Sequence, residues 1–285
     1  MIYLYTCHFK KLNNIVNFLD KLGIINIVFL IMLSIVLLGT GNLAKHLFDI
    51  LKDQANIKIK QVYGRNKTAL SYFQKETSTT TNSNAIEEAS VYIIAVSDDS
   101  IATVSELLKQ KNGIVVHTSG SIAINALSPS VKRGVFYPLQ TFSPNRAVDF
   151  SKVPICIEAE NKNDLKVLKN LASKISDTVL EVSSKQRKDL HLAAVFVNNF
   201  TNHLYQIGQE ICEKSQISFA VLEPLILETA LKIKTLNPME AQTGPARRND
   251  NGTIEKHIKG LQNKNHKEVY SVISNSIQKT YGKKL

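Results

Sequence analysis

The sequence predicts an α/β fold: a doubly wound, mostly parallel sheet followed by an all-helical second domain. Three observations carry this. From Leu33 to about Ser183, short β-rich runs alternate with helical stretches, the pattern of strands joined by crossover helices. The apolar run Leu33–Leu38 leads directly into Gly39-Thr-Gly41-Asn-Leu-Ala44, a glycine-rich turn that opens a helix. Beyond Ser183 strand signals cease, and four helical stretches follow over 186–213, 219–234, 252–263 and 267–281.

Within the first part, strands are expected over 33–38, 57–63, 91–96, 113–117, 134–137, 153–158 and 178–181. Helices are expected between them over 42–51, 67–75, 100–109 and 163–174. The polar tract 77–84 reads as a solvated loop with room for a short strand. The domain boundary falls near Ser183–Ser184, giving a sheet domain over 32–183 and a helical substrate and dimerisation domain over 184–285. Residues 1–31 add nothing that such a sheet unit requires. The apolar run Ile24–Leu38 is shorter than the ~20 residues that span a bilayer, its second half is already the first strand, and no cleavage site follows it. Met32 stands directly before the strand, so the expectation is that translation starts there. The other reading is an amphipathic helix over 12–22 that packs on the domain or touches a membrane.

With 44% hydrophobic and 21% charged residues, the composition is that of a globular chain rather than a disordered one. The net charge of +11 is spread among acidic residues without a single-sign run. No zinc-finger spacing and no aromatic–basic interleaving accompany it, which argues against nucleic acid. A diffuse positive field suits an anionic ligand better. Three cysteines far apart (Cys7, Cys156 and Cys212) give neither a disulfide framework nor a metal site and fit a reducing, cytoplasmic setting.

The turn Gly39-Thr40-Gly41-Asn42-Leu43-Ala44 fits G-x-G-x-x-G/A within a strand–turn–helix unit, the signature of a Rossmann dinucleotide site. The first glycine permits the tight turn, the second lets the backbone approach a pyrophosphate, and Ala44 allows close helix–strand packing. The phosphates then meet the amides and positive end of the following helix. The second strand ends in Tyr63-Gly64-Arg65-Asn66-Lys67, with no carboxylate for a ribose 2′-hydroxyl. Arg65 and Asn66 offer instead what a 2′-phosphate needs, so NADP is expected over NAD. Val96, Ser97 and Asp98 follow the next strand and are expected at the crevice, Asp98 alternatively as the N-cap of the following helix. His117-Thr118-Ser119-Gly120-Ser121 ends the strand after that, placing an imidazole and hydroxyls where a substrate meets the nicotinamide.

GTGNLAKHL, AVSDDSI, HTSGS, FYPLQTF, HLAAVFVNNF and TGPARRND occur in that order over about 33–270. Together they resemble the Rossmann-like family whose C-terminal half is domain of unknown function 2520, grouped with the pyrroline-5-carboxylate reductases and β-hydroxyacid dehydrogenases. The resemblance implies an oxidoreductase using NADP, or else NAD or F420, on a small carbonyl, imine or hydroxy compound. It also implies a helical domain like that of 6-phosphogluconate dehydrogenase, which closes one side of the cleft and forms a homodimer. In the β-hydroxyacid dehydrogenases a lysine stands three residues before paired asparagines. Here Asn198 and Asn199 are present, but Val195 occupies the lysine's place. One turn earlier lies His191, and positions 191, 195, 198 and 202 follow helical spacing. His191, Asn198 and Asn202 are therefore expected to share a face, with the imidazole suited to proton transfer.

His117, Ser119, His191 and Asn198 are thus the catalytic candidates. Asn202, Thr243 and Arg248 are the substrate-binding ones. Arg247 and Arg248 after Thr243-Gly244-Pro245 either bind an anionic substrate or brace a loop, Arg248 pairing with Asp250. Tyr137 is either an alternative proton donor or a buried aromatic with a bonded hydroxyl. The absent lysine also leaves open a non-catalytic dinucleotide sensor.

Overall fold

The computed structural model describes residues 32–281, so the Met32 start and the helix over 12–22 concern residues outside those described. The described chain divides into two compact units, the sheet unit to Ala193 and a helical unit from Ala194.

The sheet unit begins with β1 (Leu33–Leu38), α1 (Asn42–Lys52), β2 (Ile57–Tyr63), α2 (Lys67–Leu70), β3 (Ser78–Thr80) and β4 (Val91–Ile94). It continues through α3 (Ile101–Glu106), β5 (Ile114–His117), β6 (Lys132–Pro138), β7 (Ile155–Ala159), α4 (Lys162–Ser173), β8 (Val179–Glu181) and α5 (Ser184–Ala194). The strands form one eight-stranded sheet in the order β3-β2-β1-β4-β5-β6-β7-β8. Its first six positions have the 3-2-1-4-5-6 order of a doubly wound dinucleotide fold. All neighbours are parallel except β6 and β7, which pair antiparallel.

Alternation along β1 explains why both faces need cover. Ile35 and Leu37 enter one core with Ala44, Leu47, Phe48 and Leu51 of α1 and Leu168 and Leu171 of α4. Val36 and Leu38 enter the opposite core with Ile101, Leu108, Leu127 and Val131. The α1 side chains recur at i, i+3, i+4 and i+7, one apolar stripe of an amphipathic helix. Each fully buried Leu or Phe of this kind contributes roughly 1.5–3 kcal/mol.

In the helical unit the single helix expected over 186–213 is broken. The α5 helix gives way to a π-helical segment, Val195–Phe200, before α6 (Thr201–Lys214). The unit continues with α7 (Glu223–Lys232), α8 (Pro238–Ala241), α9 (Asn251–Gly260) and α10 (Lys264–Tyr281). A π turn is wider than 3.6 residues, so the spacing expected to align positions 191, 195, 198 and 202 is interrupted. The helix expected over 67–75 is only one turn long, Lys67–Leu70. The loop expected over 77–84 does contain a short strand, β3, and a short helix at Pro238–Ala241 was not expected. No helix among the described residues is long and apolar enough to cross a membrane.

Candidate functional site

The glycine-rich turn is held from behind by backbone. Gly39 has φ +132°, and a Cβ there would lie 2.1 Å from the Ala95 carbonyl oxygen at the end of β4. Only glycine fits this approach. Gly41 is the N-cap of α1, with open space around its Cβ position. No side chain caps α1, and its first turn carries no carboxylate. Its first amides and its dipole are therefore free to receive an anion.

A cavity of about 720 Å³ opens over this turn. It brings together Gly39, Thr40, Gly41, Asn42 and Leu43 with Arg65 and Asn66 from the end of β2, and with Val96 and Ser97 after β4. Of the cofactor-binding residues read from the sequence, Asp98 is the one outside this lining; Asp99 lines it instead. Arg65 is exposed and extends into solvent-accessible space, and no carboxylate ends β2. Asn66 has a structural task as well, since its Oδ1 accepts from the Ala69 amide at 3.1 Å as the N-cap of α2. Asp98 is not the N-cap of the following turn, which is Ser97. Its carboxylate accepts a hydrogen bond from the Ser121 hydroxyl, joining the loops that follow β4 and β5.

The end of β5 corrects the expectation of an imidazole open to the crevice. His117 is fully buried, its Nδ1 accepts from the Ser119 amide at 3.2 Å, and its Nε2 has no partner among the described residues. Burial, reinforced by the nearby Arg187 charge, lowers its pKa to about 4. Ser119 is also buried, and its hydroxyl oxygen accepts from the Ser121 and Ile122 amides, each at 3.1 Å. Both side chains therefore shape the loop.

That loop is clamped by Arg187 of α5, whose side chain is fully buried. Its Nε donates to the Ser119 carbonyl at 3.2 Å, and its terminal nitrogens donate to the Ile122 carbonyl and to Glu158 of β7. Glu158 also receives the Ser184 amide at 2.9 Å and the Ser184 hydroxyl at 2.8 Å, closing the start of α5. Sequence reasoning missed Arg187 and Glu158. One reads as the solvent face of a polar helix and the other as a strand end, and only the fold makes them partners.

One turn after Arg187, His191 is half-buried, and its Nδ1 lies 3.1 Å from the Tyr137 hydroxyl at the end of β6. Tyr137 is buried, so its hydroxyl does have a bonded partner, and burial pushes its pKa up to about 12. Asn198 lies in the π segment and Asn202 in α6, both exposed. Thr243 lines a mainly apolar cavity of about 260 Å³ bounded by Leu204, Ile207 and Ile211 of α6 and by Val269, Ile273 and Ile277 of α10. Arg248 is exposed, and behind the Thr253 hydroxyl bond its charge helps to lower the Asp250 pKa without a direct ion-pair contact. Asp250 instead caps α9, accepting from the Thr253 amide at 3.0 Å and hydroxyl at 2.7 Å. No group of side chains able to hold a metal ion occurs among the described residues.

Comparison with known proteins agrees with this architecture. Residues 34–120 match the family profile described as NADP oxidoreductase, coenzyme F420-dependent, and residues 153–277 match domain of unknown function DUF2520. A Bacteroides fragilis protein, provisionally named an NADP oxidoreductase, is 40% identical, with 88% of this chain and 99% of that one covered at a TM-score of 0.82. The chain belongs to this DUF2520-containing family of NADP oxidoreductase-like proteins. A Thermotoga maritima protein shares the fold at 22% identity and TM-score 0.66, covering 87% of this chain and 98% of that one. The pyrroline-5-carboxylate reductase of Streptococcus pyogenes does so at 14% identity and TM-score 0.59, with the same coverage of 87% and 98%. No curated protein matches the chain.

Proposed function

We propose that this chain is an NADP(H)-dependent oxidoreductase acting on a small carbonyl, imine or hydroxy compound. One observation carries the reading: an uncapped helix start beneath a glycine turn, followed at the end of β2 by Arg65 with no carboxylate. The bound nicotinamide supplies the hydride chemistry, and the protein supplies grip, orientation and a proton route. Backbone amides from Gly39 to Leu43 hold the pyrophosphate, and Arg65 with Asn66 receives the 2′-phosphate. Val96 and Ser97 border the same ligand, and Asp98 holds the neighbouring loop through Ser121. His191 is the group facing the substrate. His117 and Ser119 keep the loop from Ser119 to Ile122 in shape. Asn198, Asn202, Thr243 and Arg248 are the helical unit's polar candidates for substrate contact.

The helical unit also supports a homodimer. Among its described residues, Ala246 and Ile254 are the buried apolar side chains. Phe196, Val197, Val221, Leu225, Leu227 and Ile233 are all more than half exposed. A second copy is the cover that such a surface needs.

Calorimetric titration tests the cofactor assignment. NADPH is expected to bind more tightly than NADH, and Arg65→Asp to remove the difference. Loss of a charge-assisted contact corresponds to a roughly 10- to 100-fold weakening. Equal affinities for NADPH and NADH, or tighter binding of F420, would overturn it.

A further inference from the structure

The contact between Tyr137 and His191 is more constrained than its distance suggests. The Tyr137 ring is buried, and among the described residues its hydroxyl has one partner, His191 Nδ1 at 3.1 Å. Two arrangements are open to the pair. In one, the phenol donates to an unprotonated Nδ1. In the other, Nδ1–H donates to the phenol oxygen, and the phenol hydrogen of this largely buried residue is left without an acceptor among the described residues. A stranded buried donor carries its full desolvation cost, so the first arrangement is preferred. The neutral ring must then carry its hydrogen on Nε2.

Gly120 fixes the same geometry from a third side. A Cβ at this position would lie 2.6 Å from His191 Nδ1 and 2.8 Å from the Tyr137 ring carbon that bears the hydroxyl. The Arg187 clamp on the Ser119 and Ile122 carbonyls holds that loop against the pair. The two rings cross nearly edge to face, at an interplanar angle of 75°. His191 Nε2, on the opposite side of the ring from Tyr137, has no partner among the described residues, and the ring is half-buried.

We propose that Tyr137 is a positioning residue that holds neutral His191 in its Nε2–H form, so that the ring offers a hydrogen-bond donor to the substrate. This rests on the oxidoreductase reading above and deepens it. A donor facing the substrate complements the acceptor atom of a carbonyl or imine, the oxidised partner of the couple. For a carbonyl, the Nε2–H bond would steady the negative charge that hydride addition leaves on oxygen, and solvent would supply the proton that completes the alcohol, so the ring stays neutral. An alcohol awaiting deprotonation would need a free nitrogen lone pair at that position, which the Nε2–H form lacks.

Long-range proton–nitrogen correlation spectra of the histidine-labelled protein at neutral pH test this without cofactor or substrate. The chain has seven histidines, so comparison with His191→Asn identifies the resonances. The expected spectrum has a pyridine-like Nδ1 and a pyrrole-like Nε2 for His191. In Tyr137→Phe the same ring should become a mixture of tautomers, and in Gly120→Ala its shifts should move as the pair is pushed apart. Tyr137→Phe should also slow single-turnover oxidation of bound NADPH by an accepted ketone or imine roughly five- to tenfold, the loss of one hydrogen bond, with the NADPH Kd unchanged. A pyrrole-like Nδ1 in the natural protein, or an unchanged tautomer in Tyr137→Phe, would overturn the proposal. Failure of NADPH to bind would instead overturn the cofactor assignment, so the two readings fail by different measurements.

Discussion

At the scale of single residues, His117 sits at the strand end expected of it but with its ring buried, and Arg187, which the sequence did not single out, clamps the loop beside it. His117 ends β5, where ligand-facing residues gather in this fold, yet its ring turns inward and is fully buried. Its folded pKa of about 4 lies below the ordinary 6.5, so between these values the unfolded chain binds a proton that the native chain refuses. The sign follows: the contribution is fully present above pH 6.5, shrinks as pH falls, and is gone once pH passes below about 4. Its size is of the order of 3 kcal/mol. Urea unfolding between pH 4.5 and 7 should therefore show stability rising with pH by one proton's slope more in the natural protein than in His117→Asn; parallel curves would refute this. Inward or outward rotation of that ring was not legible in the sequence, because the loop it bonds, at Ser119, is one that Arg187 clamps from a distant helix. The guanidinium is brought in by a helix, and its partner Glu158 is 29 positions away. The placement of Arg65 beside the glycine turn, by contrast, was legible: it needed only a strand end and the absence of a carboxylate.

At the scale of elements, local signals were strong where one segment carries its own instruction. The expected bounds of β1 and β2 coincide with the observed Leu33–Leu38 and Ile57–Tyr63, since apolar runs bounded by turn residues define them. The start of α1 at Asn42 was equally readable from its glycine turn. The π segment at Val195–Phe200 was not, because nothing in VFVNNF departs from an ordinary helical pattern and no Gly or Pro marks the change. Two glycines of the turn should separate stability from binding. Gly39→Ala drives a methyl into the Ala95 carbonyl and is expected to destabilise the sheet unit by at least about 2 kcal/mol. Gly41→Ala meets nothing within 4 Å, so it should fold normally yet bind NADPH more weakly, because its methyl occupies phosphate space. Thermal melts and NADPH titrations of the two variants check this. A Gly41→Ala protein that melts early, or one that binds NADPH undiminished, would contradict it.

At the scale of the molecule, the two units differ in self-sufficiency. Both faces of the sheet are lined by buried clusters, whereas the helical unit hides little apolar surface and shows much. Dimerisation through that unit predicts a melting temperature that rises with protein concentration. Light scattering should report two copies at micromolar concentration, and Leu225→Glu should shift the balance toward monomer and lower the melting point. A monomer whose melting point is independent of concentration would exclude the dimer. The seating of Gly39 against Ala95 has a consequence of another kind. On the function proposed above, the grip on the phosphates rests on main chain seated against main chain, while the choice between related cofactors rests on side chains such as Arg65 on a separate, exposed loop. On that reading, a lineage carrying this scaffold could exchange its cofactor preference through Arg65 and Lys67 without disturbing the seat of Gly39 on Ala95, while Asn66 stays tied to its task as the N-cap of α2.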